Sequence, residues 1–312
     1  MAGGRPGCEQ GVNYAARMER SRPVDGFSLA YERHVPAGGS QAPAALLLHG
    51  WPGDRADWRA VVPRLAADHD VLVPDLRGFG GSDAHPLDPA EHYGAPGQVR
   101  SLIGLLDELG IGEVVVAGYD IGSRIAQALA REAGGRIRAL VVAPPLPGVG
   151  ERVLGPDQHR EFWYQHFHRS PLPETLLDGR PDAVRAYLRY IWDHWSGPGF
   201  SLSDPDLDRL LAGYAPPGRF VASLGWYRAG AGTVANALSE RTPHPSQRLA
   251  TPTTVLWPEH DPLFPRAWSD RLDDFFATVA LEWLDGTGHF SPLEAPGAVA
   301  DAIRRATATA AS

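Results

Sequence analysis

Val114-Val115-Val116-Ala117-Gly118-Tyr119-Asp120-Ile121-Gly122 carries the reading of this chain. Its four leading apolar residues form the short run expected of a strand buried on both faces. A helix pattern follows through Ile125, Ala128 and Leu129. Between the two, Gly118 and Gly122 stand two residues either side of Asp120. Glycines there let the chain turn sharply without a Cβ clash, so that the central side chain projects above the sheet. The positive end of the following helix favours an ionised carboxylate at that point. An Asp after a strand is also a common helix cap, so its partners decide between the two roles.

Outward from this turn, strand and helix alternate. Ala44 to Leu48 is an apolar run closed by His49-Gly50, and a helix pattern follows through Trp58, Val61, Val62 and Leu65. Val71-Leu72-Val73 ends at Asp75 and the turn-rich Arg77-Gly78-Phe79-Gly80-Gly81-Ser82. Val99, Leu102, Ile103, Leu106 and Leu109 recur at helical spacing and stop at Gly110. Ala139 to Ala143 supplies a further strand. Such alternation predicts a mostly parallel sheet with helices on both faces. From Pro144 to about Leu238 it ceases, and the segment turns aromatic and helical. It resumes with strands at Thr253-Thr254-Val255-Leu256-Trp257 and Val279 to Leu284, then a helix from about Pro296 to Ala306. The expected organisation is a leader over residues 1–24, with Met18 an alternative start, a core over 25–146 and 239–308, and a helical cap over 147–238.

The nearest complement to a carboxylate nucleophile is a base. Gly286-Thr287-Gly288-His289-Phe290 sets His289 in a Gly-rich loop after the last strand, the place for a residue that activates water. Leu256-Trp257-Pro258-Glu259-His260-Asp261-Pro262 offers the acid to orient it, Asp261 in preference to Glu259. Nucleophile, acid, histidine is the chain order of the α/β-hydrolase fold. In that fold the loop after the first buried strand, here His49-Gly50-Trp51-Pro52-Gly53, lends a backbone donor to the oxyanion hole. The N–H groups of Trp51 and Ile121 should therefore converge. Ser123 lies three residues past the elbow centre, on the helix, which argues against a serine esterase.

Composition narrows the chemistry further. The 312 residues are 43% hydrophobic and 21% charged, enough for a sizeable core. A net charge of -8 with no basic run argues against nucleic acid. All 29 basic residues are arginine, so Schiff-base and pyridoxal chemistry and a Walker-type phosphate loop are excluded. Cys8 is the only cysteine, which rules out an internal disulfide and a Cys-based metal cluster and fits a reducing, cytoplasmic setting. No apolar run reaches the length of a signal peptide core or membrane span, so a soluble protein is expected.

Through His49-Gly50-Trp51-Pro52, Asp75-Leu76-Arg77-Gly78-Phe79-Gly80-Gly81-Ser82, Gly118-Tyr119-Asp120-Ile121-Gly122 and Gly286-Thr287-Gly288-His289-Phe290, the chain resembles the epoxide hydrolase and dehalogenase branch of the α/β-hydrolases, most of all bacterial epoxide hydrolases. The similarity spans about residues 25 to 308. It implies a substrate epoxide opened to a diol through an ester on Asp120, with water as second substrate and no cofactor or metal. It also implies two cap acids that protonate the leaving oxygen. Tyr227, in Gly225-Trp226-Tyr227-Arg228, matches one of the paired tyrosines of epoxide hydrolases. The second acid is expected from Phe162-Trp163-Tyr164-Gln165-His166-Phe167-His168. His168 is preferred because the Phe-His pair resembles a bacterial subgroup that pairs His with Tyr, and Tyr164 stands next. Trp51, Tyr164, Trp163 and Phe290 are expected to line the pocket.

Haloalkane dehalogenases carry Trp directly after the nucleophile, where this chain has Ile121. Fluoroacetate dehalogenases resemble it in Tyr227-Arg228-Ala229-Gly230 and in Arg124, but carry Arg at the position of Ile121. Dehalogenation by the same Asp120, His289 and Asp261 remains an alternative, as does a non-catalytic binding protein of this fold. The oligomeric state is left open, a homodimer included.

Overall fold

The apolar runs become the middle of one sheet in the computed structural model, which describes residues 18–40 and 42–311. In chain order its strands are β1 (Glu19–Arg20), β2 (Ala30–His34), β3 (Ala44–Leu48), β4 (Val71–Pro74), β5 (Val114–Gly118), β6 (Ile137–Val142), β7 (Thr253–Pro258) and β8 (Val279–Leu284). They lie in the order β1-β2-β4-β3-β5-β6-β7-β8. β2 is antiparallel to β1 and β4, and the pairings from β4 through β8 are parallel.

Every residue of β3 and β5 is buried, which is why their sequences are apolar without alternation. Helix Ile121–Glu132 packs on β5 and β6 with Ala95–Glu108 against it, and helix Pro296–Ala311 packs on β3, β5 and β6. At the open side half of β8 is exposed, and there the Arg266 guanidinium lies 4.9 Å from the Trp283 ring. Because β3, β5, β7 and β8 run the same way, the loops at their carboxyl ends meet along one edge. In such sheets that edge is the usual ligand site.

The structure corrects three expectations. Residues 18–24, assigned to the leader, belong to the fold: Glu19 and Arg20 pair with Tyr31 and Ala30, and Ser21 N–H donates to Leu29 O at 2.8 Å. The expectations for residues 1–17, Cys8 among them, lie outside the described residues. The helix expected through Trp58 to Leu65 is broken into a 3-10 turn, Arg55–Trp58, and a short helix, Val62–Leu65. Pro63 explains the break, since it has no N–H to give and its ring would clash with the carbonyl four residues back. The last helix extends past Ala306 to Ala311.

Between β6 and β7 the described chain carries helices joined by loops and no strand. Helix Pro181–Trp195 buries Val184, Leu188, Ile191, Trp192 and Trp195, one face at helical spacing. Trp192 fastens this helix to the sheet's carboxyl edge. Its ring stacks on Phe290 at 3.6 Å and its indole N–H donates to Pro52 O at 3.2 Å. Helices Trp163–Arg169 and Gly225–Arg228 complete the layer above that edge. Among the described residues no helix is long and apolar enough to cross a membrane.

Candidate active site

The turn after β5 forces Asp120 to φ 51°, ψ -128°, a region few side chains occupy. The flanking glycines permit it. A Cβ on Gly118 would lie 2.5 Å from Gly122 O, and one on Gly122 would lie 2.3 Å from Leu48 O. Asp120 makes no side-chain cap to the helix it begins. Instead its Oδ1 accepts from Trp51 N–H at 2.7 Å, and Oδ2 lies 3.4 Å from His289 Nε2. The capping role is thereby set aside on geometry.

His289 is enclosed. Its Nδ1 meets Asp261 Oδ2 at 2.8 Å, while its Nε2 has no hydrogen bond of its own. Asp261 Oδ1 accepts from Leu263 N–H at 2.9 Å, which fixes the carboxylate against the ring. Glu259, the other acid weighed for this place, points elsewhere and accepts from Gly286 N–H. His49, buried near Asp120, is a fastener: Leu76 N–H donates to its Nε2 at 3.0 Å, so its Nδ1 carries the proton given to Gly50 O at 2.8 Å. Trp51 N–H, expected in the oxyanion hole, donates to Asp120; Ile121, the other expected donor, is the first residue of the helix, whose opening N–H groups have no partner within it.

Burial alone would drive the proton off His289. The negative charge of Asp261 with its hydrogen bond to Nδ1, and the Asp120 carboxylate facing Nε2, outweigh it and push the pKa up to about 10. The resting histidine is therefore a cation between two carboxylates. Because the folded value lies above the ordinary 6.5, this group's stabilisation is complete below pH 6.5 and is lost as pH rises toward 10. Asp120→Asn removes one of the two charges while keeping the shape. NMR titration of the His289 ring should accordingly give a lower pKa in that variant than in the wild type; an unchanged value would mean Asp120 does not govern it.

Above the carboxylates, rings gather round Trp51. Tyr164 stacks on it at 5.9 Å, and His168, Trp195 and Tyr227 meet it edge-on at 4.5, 5.9 and 5.9 Å. Burial raises the pKa values of Tyr164 and Tyr227 well above 10, and the charge of Asp120 adds to both. Both phenols keep their protons. Tyr164 Oη accepts from Gln165 Nε2 at 3.1 Å, which leaves its own proton free to donate. His168 differs: burial and the charge of Arg228 hold its pKa well below the usual value, and its Nε2 is engaged with Tyr187 Oη at 2.9 Å.

Tyr164 and His168 share one helix face, their rings 5.4 Å apart, as the four-residue spacing requires. Trp163, expected in the pocket, is instead 39% exposed and packs toward Phe167, Tyr187 and Tyr190. One residue along a helix turns the side chain by about 100°, so Tyr164 facing inward turns Trp163 outward. Phe290 lies between His289 and Trp192. Trp195 was not foreseen at the site; its ring lies 5.1 Å from His289 and 4.9 Å from Tyr164. The periodic buried face of its helix was the available signal.

The two arginines near the site are already paired. Arg124 faces Glu240 at 3.4 Å and donates to Leu146 O, and Arg228 makes a two-pronged pair with Glu174.

The sequence profile of the family described as alpha/beta hydrolase fold matches residues 43–296. The chain is 28% identical to epoxide hydrolase A of Mycobacterium tuberculosis, over 92% of this chain and 96% of that protein. It is 29% identical to a fluoroacetate dehalogenase of a Burkholderia species, over 63% of this chain and 65% of that one. Among solved structures it resembles a metagenomic epoxide hydrolase from hot environments, with a TM-score of 0.78 and 24% identity over 94% of this chain and 98% of the other.

Proposed function

Because the chain belongs to the α/β-hydrolase fold family, in its branch of epoxide hydrolases and dehalogenases, we propose that it opens an epoxide to a vicinal diol through an ester on Asp120. The observation that carries this reading is the division of labour at the Asp120 carboxylate. Trp51 N–H holds Oδ1, and Oδ2 is left facing His289 Nε2 under a roof of phenols.

In the first half-reaction Oδ2 attacks an epoxide carbon. The C–O bond breaks, and the leaving oxygen takes a proton from Tyr164 or Tyr227, a pair that we put in place of His168 with Tyr227. Ester formation removes the negative charge of Asp120, which lowers the pKa of His289. Its proton is released, and the phenolate regains one. Neutral His289 then takes a proton from water as the oxygen attacks Cγ of Asp120. The oxyanion develops on Oδ1, already within hydrogen-bond distance of Trp51 N–H, with Ile121 N–H as the second donor. Collapse breaks the Cγ–Oδ2 bond, and the new carboxylic acid passes its proton to the departing alkoxide. Asp120 ends as a carboxylate and His289 as a cation, as they began. Residues 147–238 serve as the cap that supplies the phenols and excludes water.

Single-turnover reactions in heavy-oxygen water test this directly, on a panel of styrene-type, aliphatic and terpenoid epoxides. The first diol released should carry the enzyme's oxygen, with solvent label appearing in the protein. Immediate label in the diol would mean that water attacks the epoxide itself. Fluoroacetate and a haloalkane belong in the same panel, and halide release without diol would support dehalogenation. The pairing of Arg124 with Glu240 and Arg228 with Glu174 leaves neither as a ready clamp for a substrate carboxylate.

A further inference from the structure

Glu294 lies five residues past His289, at the end of the short helix Ser291–Glu294. Its carboxylate collects three backbone N–H groups. Oε2 accepts from Gly288 at 2.7 Å and Gly197 at 2.8 Å, and Oε1 accepts from Phe290 at 3.0 Å. Gly288 and Phe290 flank His289, and Gly197 lies two residues beyond Trp195 in the helical segment. His289 N–H itself donates to Trp195 O at 2.8 Å. The N–H groups of residues 288, 289 and 290 are thus all spoken for, each by Glu294 or by the helical segment.

The approach at this junction is too close for side chains. A Cβ on Gly288 would stand 2.1 Å from Gly197 N, and one on Gly197 would stand 2.6 Å from Gly288 N and 2.8 Å from Glu294 Oε2. The same junction carries Trp195, whose ring touches His289 and Tyr164. Burial pushes the Glu294 pKa up, and the three donors oppose it by favouring the ionised form, which is acceptor-only and makes the stronger kind of bond.

We propose that Glu294 is a positioning residue that clamps the His289 loop to the helical segment and so sets where Nε2 stands for the hydrolytic half-reaction. The proposal rests on the reading of the site as an ester-forming hydrolase. Water must lie between Nε2 and Cγ of Asp120, and a displacement of about 1 Å at such a point is worth up to about 100-fold in rate. Attack by Asp120 does not pass through Nε2 and is less exposed to the same displacement.

The test is the partition between the two half-reactions, measured by quenching single turnovers and following the Asp120 adduct by mass spectrometry. Glu294→Gln keeps the shape but turns an amide N–H₂ toward one of the donors. It should slow hydrolysis by about 10-fold or more relative to alkylation, with adduct accumulating. Gly197→Ala opens the junction from the other side and leaves the Glu294 charge in place. It should shift the partition the same way and move the NMR titration of His289. An equal fall in both half-reactions, or a lower melting temperature with the wild-type partition, would overturn the clamp. If the wild type itself forms no adduct on Asp120, the hydrolase reading fails instead. The clamp is then judged by the His289 titration in Gly197→Ala, where a wild-type value overturns it.

Discussion

His289→Gln is expected to stop the enzyme halfway, with one substrate molecule held as an ester on the peptide that contains Asp120. Gln cannot take a proton from water, but it leaves Oδ2 of Asp120 free and removes the cation that faces it. Alkylation should therefore proceed while hydrolysis falls by about 10²- to 10⁴-fold, the usual worth of a general base. Intact-protein mass spectrometry reads this as a stoichiometric adduct, against a trace in the wild type. Asp120→Ala should give neither adduct nor diol and yet stay folded, since its side chain makes one backbone hydrogen bond and projects from the sheet. Turnover retained by Asp120→Ala would end the assignment; no adduct on His289→Gln would remove His289 from the base role.

Tyr164→Phe and Tyr227→Phe should each slow alkylation by about 10²- to 10⁴-fold and leave ester hydrolysis nearly intact, because an epoxide oxygen must be protonated as it departs. Both phenols feel the charge of Asp120, and burial keeps both protonated. His168→Phe should have the smaller effect. Burial and the charge of Arg228 keep its ring neutral, its Nε2 is taken by Tyr187 while Nδ1 has no partner, and its charged neighbour is Arg228 rather than Asp120. Burst kinetics on a chromogenic epoxide separate the three variants. A large alkylation defect confined to His168→Phe would restore His168 as the second acid.

The parallel core is legible in the sequence because β3, β4 and β5 are buried along their whole length and apolar throughout, and β6 and β7 depart from this only near their starts, at Arg138 and at Thr253-Thr254. β1 and β2 escape notice for the opposite reason. They sit at the antiparallel side, and Ala30–His34 mixes Tyr31 with Glu32 and Arg33, whose charges are answered by Arg55 and Asp70. At the site, the loops after β5, β7 and β8 carry glycine and proline signals that point to Asp120, Asp261 and His289. The phenol roof is harder. Helical spacing places Tyr164 and His168 on one face, but which of them senses Asp120 depends on how the helix is rotated against Trp51. Trp163 shows the size of that uncertainty, since one residue separates the inside from the surface. Trp195 and Glu294 act through backbone carbonyls and carboxylates that meet only once the chain is folded.

The backbone at Asp120 bears on how such a sequence persists. A non-glycine residue at φ 51°, ψ -128° is held there at a cost of about 1–3 kcal/mol, out of the few by which a domain is stable at all. Glycine at that position would relieve the strain and forfeit the nucleophile. A lineage released from selection for turnover would thus gain stability by the very mutation that disarms it, and mutational drift would run downhill toward loss. Aspartate standing at this point, with its histidine and acid still in reach, is what selection for catalysis would maintain and what selection for binding alone would let go.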